Sequence, residues 1–214
     1  MSDLRAGTIT SRNVLAVEGQ DEKNFFDRLL QHIRLKSVQI ESVGGKIQFK
    51  KRLPALLKTT GFFRADGSSF VEHLAIIRDK DEDDAFKSVA NIAAKTGLTP
   101  PDRHGEFSKA KPKVGIFIMP GNTVDGTMLE DLCLRTVDDH RAMDCVKKFA
   151  SCVAELPDPP KIMSKAKTQV FKAYLFLAAQ PEVVDCVGLG AQKDYWNLDS
   201  PVLSELKEFL LHMK

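Results

Sequence analysis

The chain has 214 residues, of which 43% are hydrophobic and 28% charged, and a net charge of +2. These values suit one large globular domain, or one domain with an appendage, and give no global polyanion-binding signature, so contact with nucleic acid must come from local patches. No apolar run reaches the length of a membrane span and the opening MSDLRAGTITSRN has no apolar signal core, which leads us to expect a soluble, cytoplasmic protein that does not enter a membrane. Cys133, Cys145, Cys152 and Cys186 fall in no CxxC or zinc-like spacing and read as reduced, mostly buried thiols.

Taken in order, the chain begins with a polar lead-in through residue 12. NVLAV at 13–17 is a buried strand, followed at once by Glu18, Gly19, Gln20, Asp21 and Glu22. Phe25, Phe26, Leu29, Leu30 and Ile33 then recur at helical spacing. Asp21 and Glu22 suit the first turn of that helix, where the macrodipole favours anions. Glu18 is not explained that way; it sits at the carboxyl end of a strand, where open α/β sheets keep their ligands. VQIESV at 38–43 is a second strand, closed by Gly44 and Gly45. Leu53, Leu56 and Leu57 mark the helix after it, and Pro54 predicts a late start or a kink there. Lys46, Lys50, Lys51 and Arg52 gather at the start of that segment. They are either a solvated face or a phosphate-binding edge with the amides of Gly44 and Gly45 beside them.

A turn-rich stretch at 61–69 leads to a third strand over 70–77, which ends in a run of carboxylates, Asp79, Asp81, Glu82, Asp83 and Asp84. Because strand side chains alternate, Asp79 and Asp81 should project to one side. The run is either a solvated loop with an acidic helix start or a pair of oxygen ligands for a hard cation such as Mg²⁺. Glu82 and Asp84 are assigned to the following helix, 85–95, which Gly97 stops. A long Pro-rich loop over 98–112 precedes a fourth strand, KVGIFIM at 113–119, and the turn Pro120-Gly121-Asn122. Thr127 can cap the next helix, with Glu130 and Asp131 in its first turn.

Strands that read as apolar runs and alternate with helices predict an α/β fold with a four-stranded, mainly parallel sheet and helices on both faces. Beyond residue 137 the pattern is helical. Residues 138–156 form one amphipathic helix with Met143, Val146, Phe149, Ala150 and Val153 inward, and 162–180 a second. A loop carries Tyr195 and Trp196 as packing anchors, and Ser200-Pro201 opens the last helix. The organisation expected is an α/β domain over 1–137 and a helical extension over 138–214 packed on it. In such a sheet Glu18, Asp79, Asp81 and Glu130 lie along one edge, where four carboxylates repel one another unless a cation joins them.

VLAVEGQDE followed by IIRDKDED resembles the Toprim domain of topoisomerases, DnaG-type primases and nucleases of the overcoming-lysogenization-defect class. Residues 13–135 match the order of that family, with VGGK at 43–46 and GTMLED at 126–131 as further points of similarity. The layout, including Pro120–Asn122, is most similar to small stand-alone Toprim-like proteins. The resemblance implies a Rossmann-like Toprim fold, with Glu18, Asp79 and Asp81 as ligands of Mg²⁺ or Mn²⁺ and Glu22 and Glu130 extending the set toward a second ion. In the nuclease branch an Asp stands where this chain has Glu22. That branch also uses a late lysine, matched in order by Lys165 or Lys167.

The expected function is a Mg²⁺-dependent phosphodiester hydrolase, a nuclease, with Glu18 and Lys165 in catalytic roles and nucleic acid held by Lys46, Lys50, Lys51 and Arg52. The alternative is a non-catalytic metal- or nucleotide-binding subunit that works beside a separate ATPase or nucleic-acid-processing protein. A receiver-like phosphoacceptor using Asp79 or Asp81 would leave Glu18 and Glu130 without a role.

Overall fold

The structure, a computed structural model, describes residues 7–80, 84–159 and 165–214. Four strands, β1 (Asn13–Val17), β2 (Val38–Ser42), β3 (His73–Asp79) and β4 (Lys113–Met119), form one sheet in the order β2-β1-β3-β4. Every pairing is parallel, so the predicted α/β class holds and the sheet is parallel throughout. The three strands β1, β3 and β4 are buried almost end to end, as apolar runs require, whereas β2 at the edge is half-exposed.

Strand alternation divides the core between the two faces. Leu15, Val17, Ala75, Ile77, Phe117 and Met119 point one way. They pack with α1 (Gln20–His32), α4 (Leu129–Thr136), α5 (Ala142–Ala154), α6 (Lys165–Ala178), α7 (Val187–Gln192) and α8 (Ser204–Leu211). Val14, Ala16, Leu74, Ile76, Val114, Ile116 and Ile118 point the other way, toward α2 (Lys46–Leu57) and α3 (Ala85–Lys95). The helices after residue 137 therefore share a hydrophobic cluster with β1, β3 and β4. Phe107 makes one of the long connections. Its ring lies flat against Gly115 of β4, where a Cβ would come within 2.5 Å, and stacks on Phe209 of α8 at 4.9 Å.

Several boundaries differ from the sequence expectation. The third strand begins at His73, because residues 69–72 are spent on a turn in which the Ser69 hydroxyl donates to the Val71 carbonyl. α2 starts early, at Lys46 after an extended Gly45, and runs through Pro54. Met128, not Thr127, precedes α4, and the Asp131 carboxylate accepts the Thr127 and Met128 amides at 2.8 and 3.2 Å. Phe149, expected inward, is 53% exposed, with its ring against that of Phe171 on α6. The Trp196 region contains the short helix α7, whose glycines made it read as loop. Trp196 itself is buried, stacked on Phe176, with its indole N–H donating to the Val187 carbonyl. Ser200 caps a 3-10 turn over Pro201–Leu203 that feeds α8. Only Cys133 is fully buried; Cys145 and Cys152 are exposed, contrary to the expectation of mostly buried thiols. Among the described residues no helix is long and apolar enough to cross a membrane.

Candidate functional site

Parallel register brings the ends of β1 and β3 side by side: Ala16 pairs with Ile76, so Glu18 lies across from Arg78. Arg78 is 2% exposed, and its Nε donates to Glu18 Oε1 at 3.0 Å. Its guanidinium also lies 5.3 Å from the centre of the Phe49 ring, a cation–π contact with α2. The same Glu18 oxygen accepts the Asp79 amide at 3.3 Å. Its other oxygen lies over Gly45, where a Cβ would come within 2.9 Å, so the turn into α2 must be glycine for Glu18 to keep its place.

Asp79 ends β3, partly buried, and its Oδ1 accepts the Leu129 amide at the start of α4 at 3.2 Å. Burial raises its carboxyl well above the usual range, and the charges of Glu18, Glu130 and Glu22 push it further in the same direction. Glu130, in the first turn of α4, is raised by burial and by Asp21, Glu22 and Asp131. Glu22 is raised by burial and by Glu18 and Asp21. Asp79, Glu22 and Glu130 thus each feel the charge of other carboxylates at this end of the sheet. Glu22 already has a task there, since its Oε2 accepts the Gly19 amide at 2.9 Å and so caps its own helix.

Other residues around these carboxylates were given no part in the site by the sequence pattern. Arg78 falls just beyond the predicted third strand, but in the structure it belongs to β3 and register makes it the counter-ion of Glu18. Asp131 reads as a helix-start acid like Glu130, yet it is buried and accepts two backbone amides plus Gln169 Nε2 at 2.6 Å. That last bond ties α6 to the start of α4, so Gln169 supports the loop that presents the Leu129 amide to Asp79. Gly126, at φ +149, passes so close to Asp131 that a Cβ would lie 2.5 Å from its side chain.

Asp81, Glu82 and Asp83 lie outside the described residues, as do the side chains of Lys46 and Lys165. Lys165 is the first residue of α6, four positions before Gln169. Lys167 is exposed. Asp84 does serve the following helix, accepting the Lys87 amide at 3.1 Å. Lys50 and Lys51 are exposed on α2 and Arg52 is half-buried beside them. The expectation of free glycine amides at this edge is only half met, because Gly44 donates to the Glu18 carbonyl at 2.9 Å. Among the described residues no three His, Cys, Asp or Glu side chains are placed to hold one ion.

Beside the carboxylates opens a mainly apolar cleft of about 370 Å³, between Asp21 and Glu130 on one side and Phe171, Tyr174, Cys186 and Val187 on the other. Burial and a hydrogen bond to Asp21 push the Cys186 thiol up to about 11. α7 is pressed against the start of α1 here: the Gly188 amide donates to the Asp21 carboxylate, and a Cβ on Gly188 would overlap the Asp21 carbonyl at 2.1 Å.

A family model described as a protein of unknown function (DUF3226) matches residues 12–213. The chain belongs to the DUF3226 family. No curated protein matches it. Among solved structures, it is similar to the C-terminal region of the Xanthomonas campestris pv. campestris OLD protein, at 14% identity and a TM-score of 0.45, over 96% of this chain and 97% of that one. It is also similar to the C-terminal region of the Burkholderia pseudomallei OLD protein, at 12% identity and a TM-score of 0.44, over 96% of this chain and 100% of that one. These are likenesses of fold and assign no role to any residue of the DUF3226 chain.

Proposed function

We propose that the chain is a divalent-metal-dependent phosphodiester hydrolase of the Toprim kind, acting on nucleic acid. The observation that carries the reading is Asp79. A carboxyl group is held at the end of a central strand among Glu18, Glu22 and Glu130, although their charges oppose its ionisation. Such a site costs folding energy that a core residue would avoid, and a cation would recover it.

The donor chemistry fits Mg²⁺ or Mn²⁺, since every side chain that would face the ion offers carboxylate oxygen, the ligand these hard cations prefer. Asp79, Asp81 and Glu18 would hold it, with Glu130 and Glu22 toward a second. When bound, the metal would supply Lewis acidity at the phosphate and lower the pKa of the attacking water. The chain's own residues do the rest. Arg78 fixes the orientation of Glu18 through a buried, charge-assisted bond. Asp131 and Gln169 order the backbone from Thr127 to Leu129, whose amide holds Asp79 in one rotamer. Lys50, Lys51 and Arg52 hold the substrate by its phosphates, with little base preference. Lys165 would stabilise charge developing on the phosphate.

The test is cleavage of plasmid and single-stranded DNA or RNA with Mg²⁺ or Mn²⁺, against EDTA and the Asp79→Asn variant. Metal-dependent cutting that the variant lowers more than about 100-fold is expected, since even residues behind the ligands typically cost 10–100-fold. Equal cutting by Asp79→Asn and the parent would overturn the assignment.

A second reading, a binding subunit beside a separate ATPase, is favoured by one feature: Glu18 and Glu22 already have partners in the fold, Arg78 and the Gly19 amide. Metal binding by calorimetry without cleavage of any substrate would select it.

A further inference from the structure

From Val43 to Ala65 the sequence holds Lys46, Lys50, Lys51, Arg52, Lys58 and Arg64 and not one Asp or Glu, in a chain whose 31 basic and 29 acidic residues otherwise nearly balance. Most of this stretch is α2, which starts against Glu18 at Gly45 and ends at Leu57. A helix of that length carries the chain about 20 Å from the acidic edge toward the opposite end of the sheet. Lys50, Lys51 and Lys58 stand exposed along it.

Where α2 ends, the surface opens into a groove of about 740 Å³. Pro54, Leu57 and Phe63 give it an apolar wall, Lys58, Arg64 and Lys95 surround it, and no carboxylate lines it. Neither Lys58 nor Lys95 has an ion-pair partner among the described residues.

Phe63 is 42% exposed while its neighbour Phe62 is fully buried, and the turn that presents it is tightly held. Arg64 and Ser68 close the turn through backbone bonds and through the guanidinium, which donates to the Ser68 hydroxyl and the Ser69 carbonyl at 3.2 Å. Asp66 accepts from the Ser68 amide at 2.9 Å. On the other side, the Ile9 amide donates to the Thr60 carbonyl at 2.8 Å, and Gly61, at φ +89, passes so close to the Ile9 carbonyl that no side chain would fit. An aromatic ring is thus fixed at the surface beside two cations that have no ion-pair partner among the described residues.

We propose that this groove binds single-stranded nucleic acid, with an unpaired base stacked on Phe63 and adjacent phosphates on Lys58 and Lys95, and that α2 leads the strand from the groove to the carboxylate edge. The ring decides for a single strand, because a base can stack on a side chain only when it is not paired within a duplex. The run of cations along α2 decides for a polymer over an isolated nucleotide. The proposal names the form of substrate that the hydrolase reading leaves open. It rests on that reading only for the cleavage step, not for binding.

Anisotropy of a labelled oligothymidylate, measured in EDTA so that no cleavage can occur, tests it separately. Phe63→Ala should weaken binding roughly tenfold, the loss of one stacked base. Lys58→Glu with Lys95→Glu should weaken it further and flatten the dependence of log K on log salt by about 1.4, the value for two phosphates of a single strand. A duplex of equal length should compete poorly, and thymidine monophosphate hardly at all. All three positions are exposed, and unchanged circular dichroism would show the variants folded. Parental affinity in both variants, or a monophosphate or duplex binding as tightly as the single strand, would overturn the proposal. Cleavage without groove binding, or groove binding without cleavage, would separate its fate from that of the hydrolase.

Discussion

Three helices begin at the carboxyl edge of the sheet immediately after β1, β2 and the β4 loop, and they begin differently. α1 and α4 open with Asp21 and Glu22 and with Glu130 and Asp131. α2 has no acid in its first turn and carries Lys46, Lys50, Lys51 and Arg52. Anions suit a helix N-terminus and cations do not, so the acidic starts look cheap and the basic one costly. Burial reverses that expectation. Glu22 and Glu130 are partly buried beside Asp79, and all three carboxyls are pushed upward. Lys50 and Lys51 stand in water, where a misplaced charge costs only tenths of a kcal/mol. The acidic starts thus carry carboxyls that burial disfavours in their charged form, while the basic start leaves its cations in water.

The sharpest way to break this contrast is to remove the cation inside the acidic side. Arg78→Met should destabilise the protein by about 3–5 kcal/mol in urea denaturation, because it takes the counter-ion from Glu18 beside a buried strand end and leaves it only the long bond from the Asp79 amide. A loss under about 1 kcal/mol, the range of an exposed pair, would mean that Glu18 is better solvated than its packing against Arg78 and Gly45 implies.

A smaller effect should follow from titrating the acids. The folded-state values of Asp79, Glu22 and Glu130 lie above their unfolded ones. Between the two the folded chain binds more protons, so the metal-free protein should lose stability as pH rises from about 4 toward neutrality. The contribution of these groups is complete below the unfolded value and gone above the folded one. Thermal melts in EDTA across that range should show the decline, and Asp79→Asn should flatten it and melt higher at neutral pH. A variant that melts lower at neutral pH would contradict the stored-strain account.

Smallest of all should be the change on the basic side. Lys50→Ala with Lys51→Ala should alter stability by less than about 0.5 kcal/mol. It should still weaken nucleic-acid binding in low salt.

Where the sequence was legible, one physical signal was dominant. β1, β4 and α3 fall on the residues their apolar runs and helical periodicity mark, at 13–17, 113–119 and 85–95. That Glu18, Asp79 and Glu130 lie toward one edge was also readable, since parallel strands bring their ends together; Asp81, the fourth of that set, lies outside the described residues. What was hidden depended on contacts between distant residues. Arg78 is buried where register sets it opposite Glu18 and Phe49 covers it. α7 was unreadable because Gly188 and Gly190, poor helix formers, are there for close packing against Asp21 and against Leu177 and Trp196. Asp131 and Glu130 are adjacent acids, and only the fold shows that one organises the α4 loop while the other faces Asp79.

The ring of Phe107 links two distant parts of the chain in time as well as in space. It lies over Gly115 at the middle of β4, and its outer face is covered by Phe209, which also meets Phe117 at 5.3 Å. During synthesis β4 leaves the ribosome before α8, so until then the ring has Gly115 and His73 beside it but lacks Phe209. Contacts this far apart in sequence slow folding. The α2–α3 face, whose cluster draws only on residues 9 to 118, can close much earlier. The acidic edge therefore joins a face that draws on residues up to 118, where Glu18 meets α2, to one that needs α8, on whose side Asp79 meets α4.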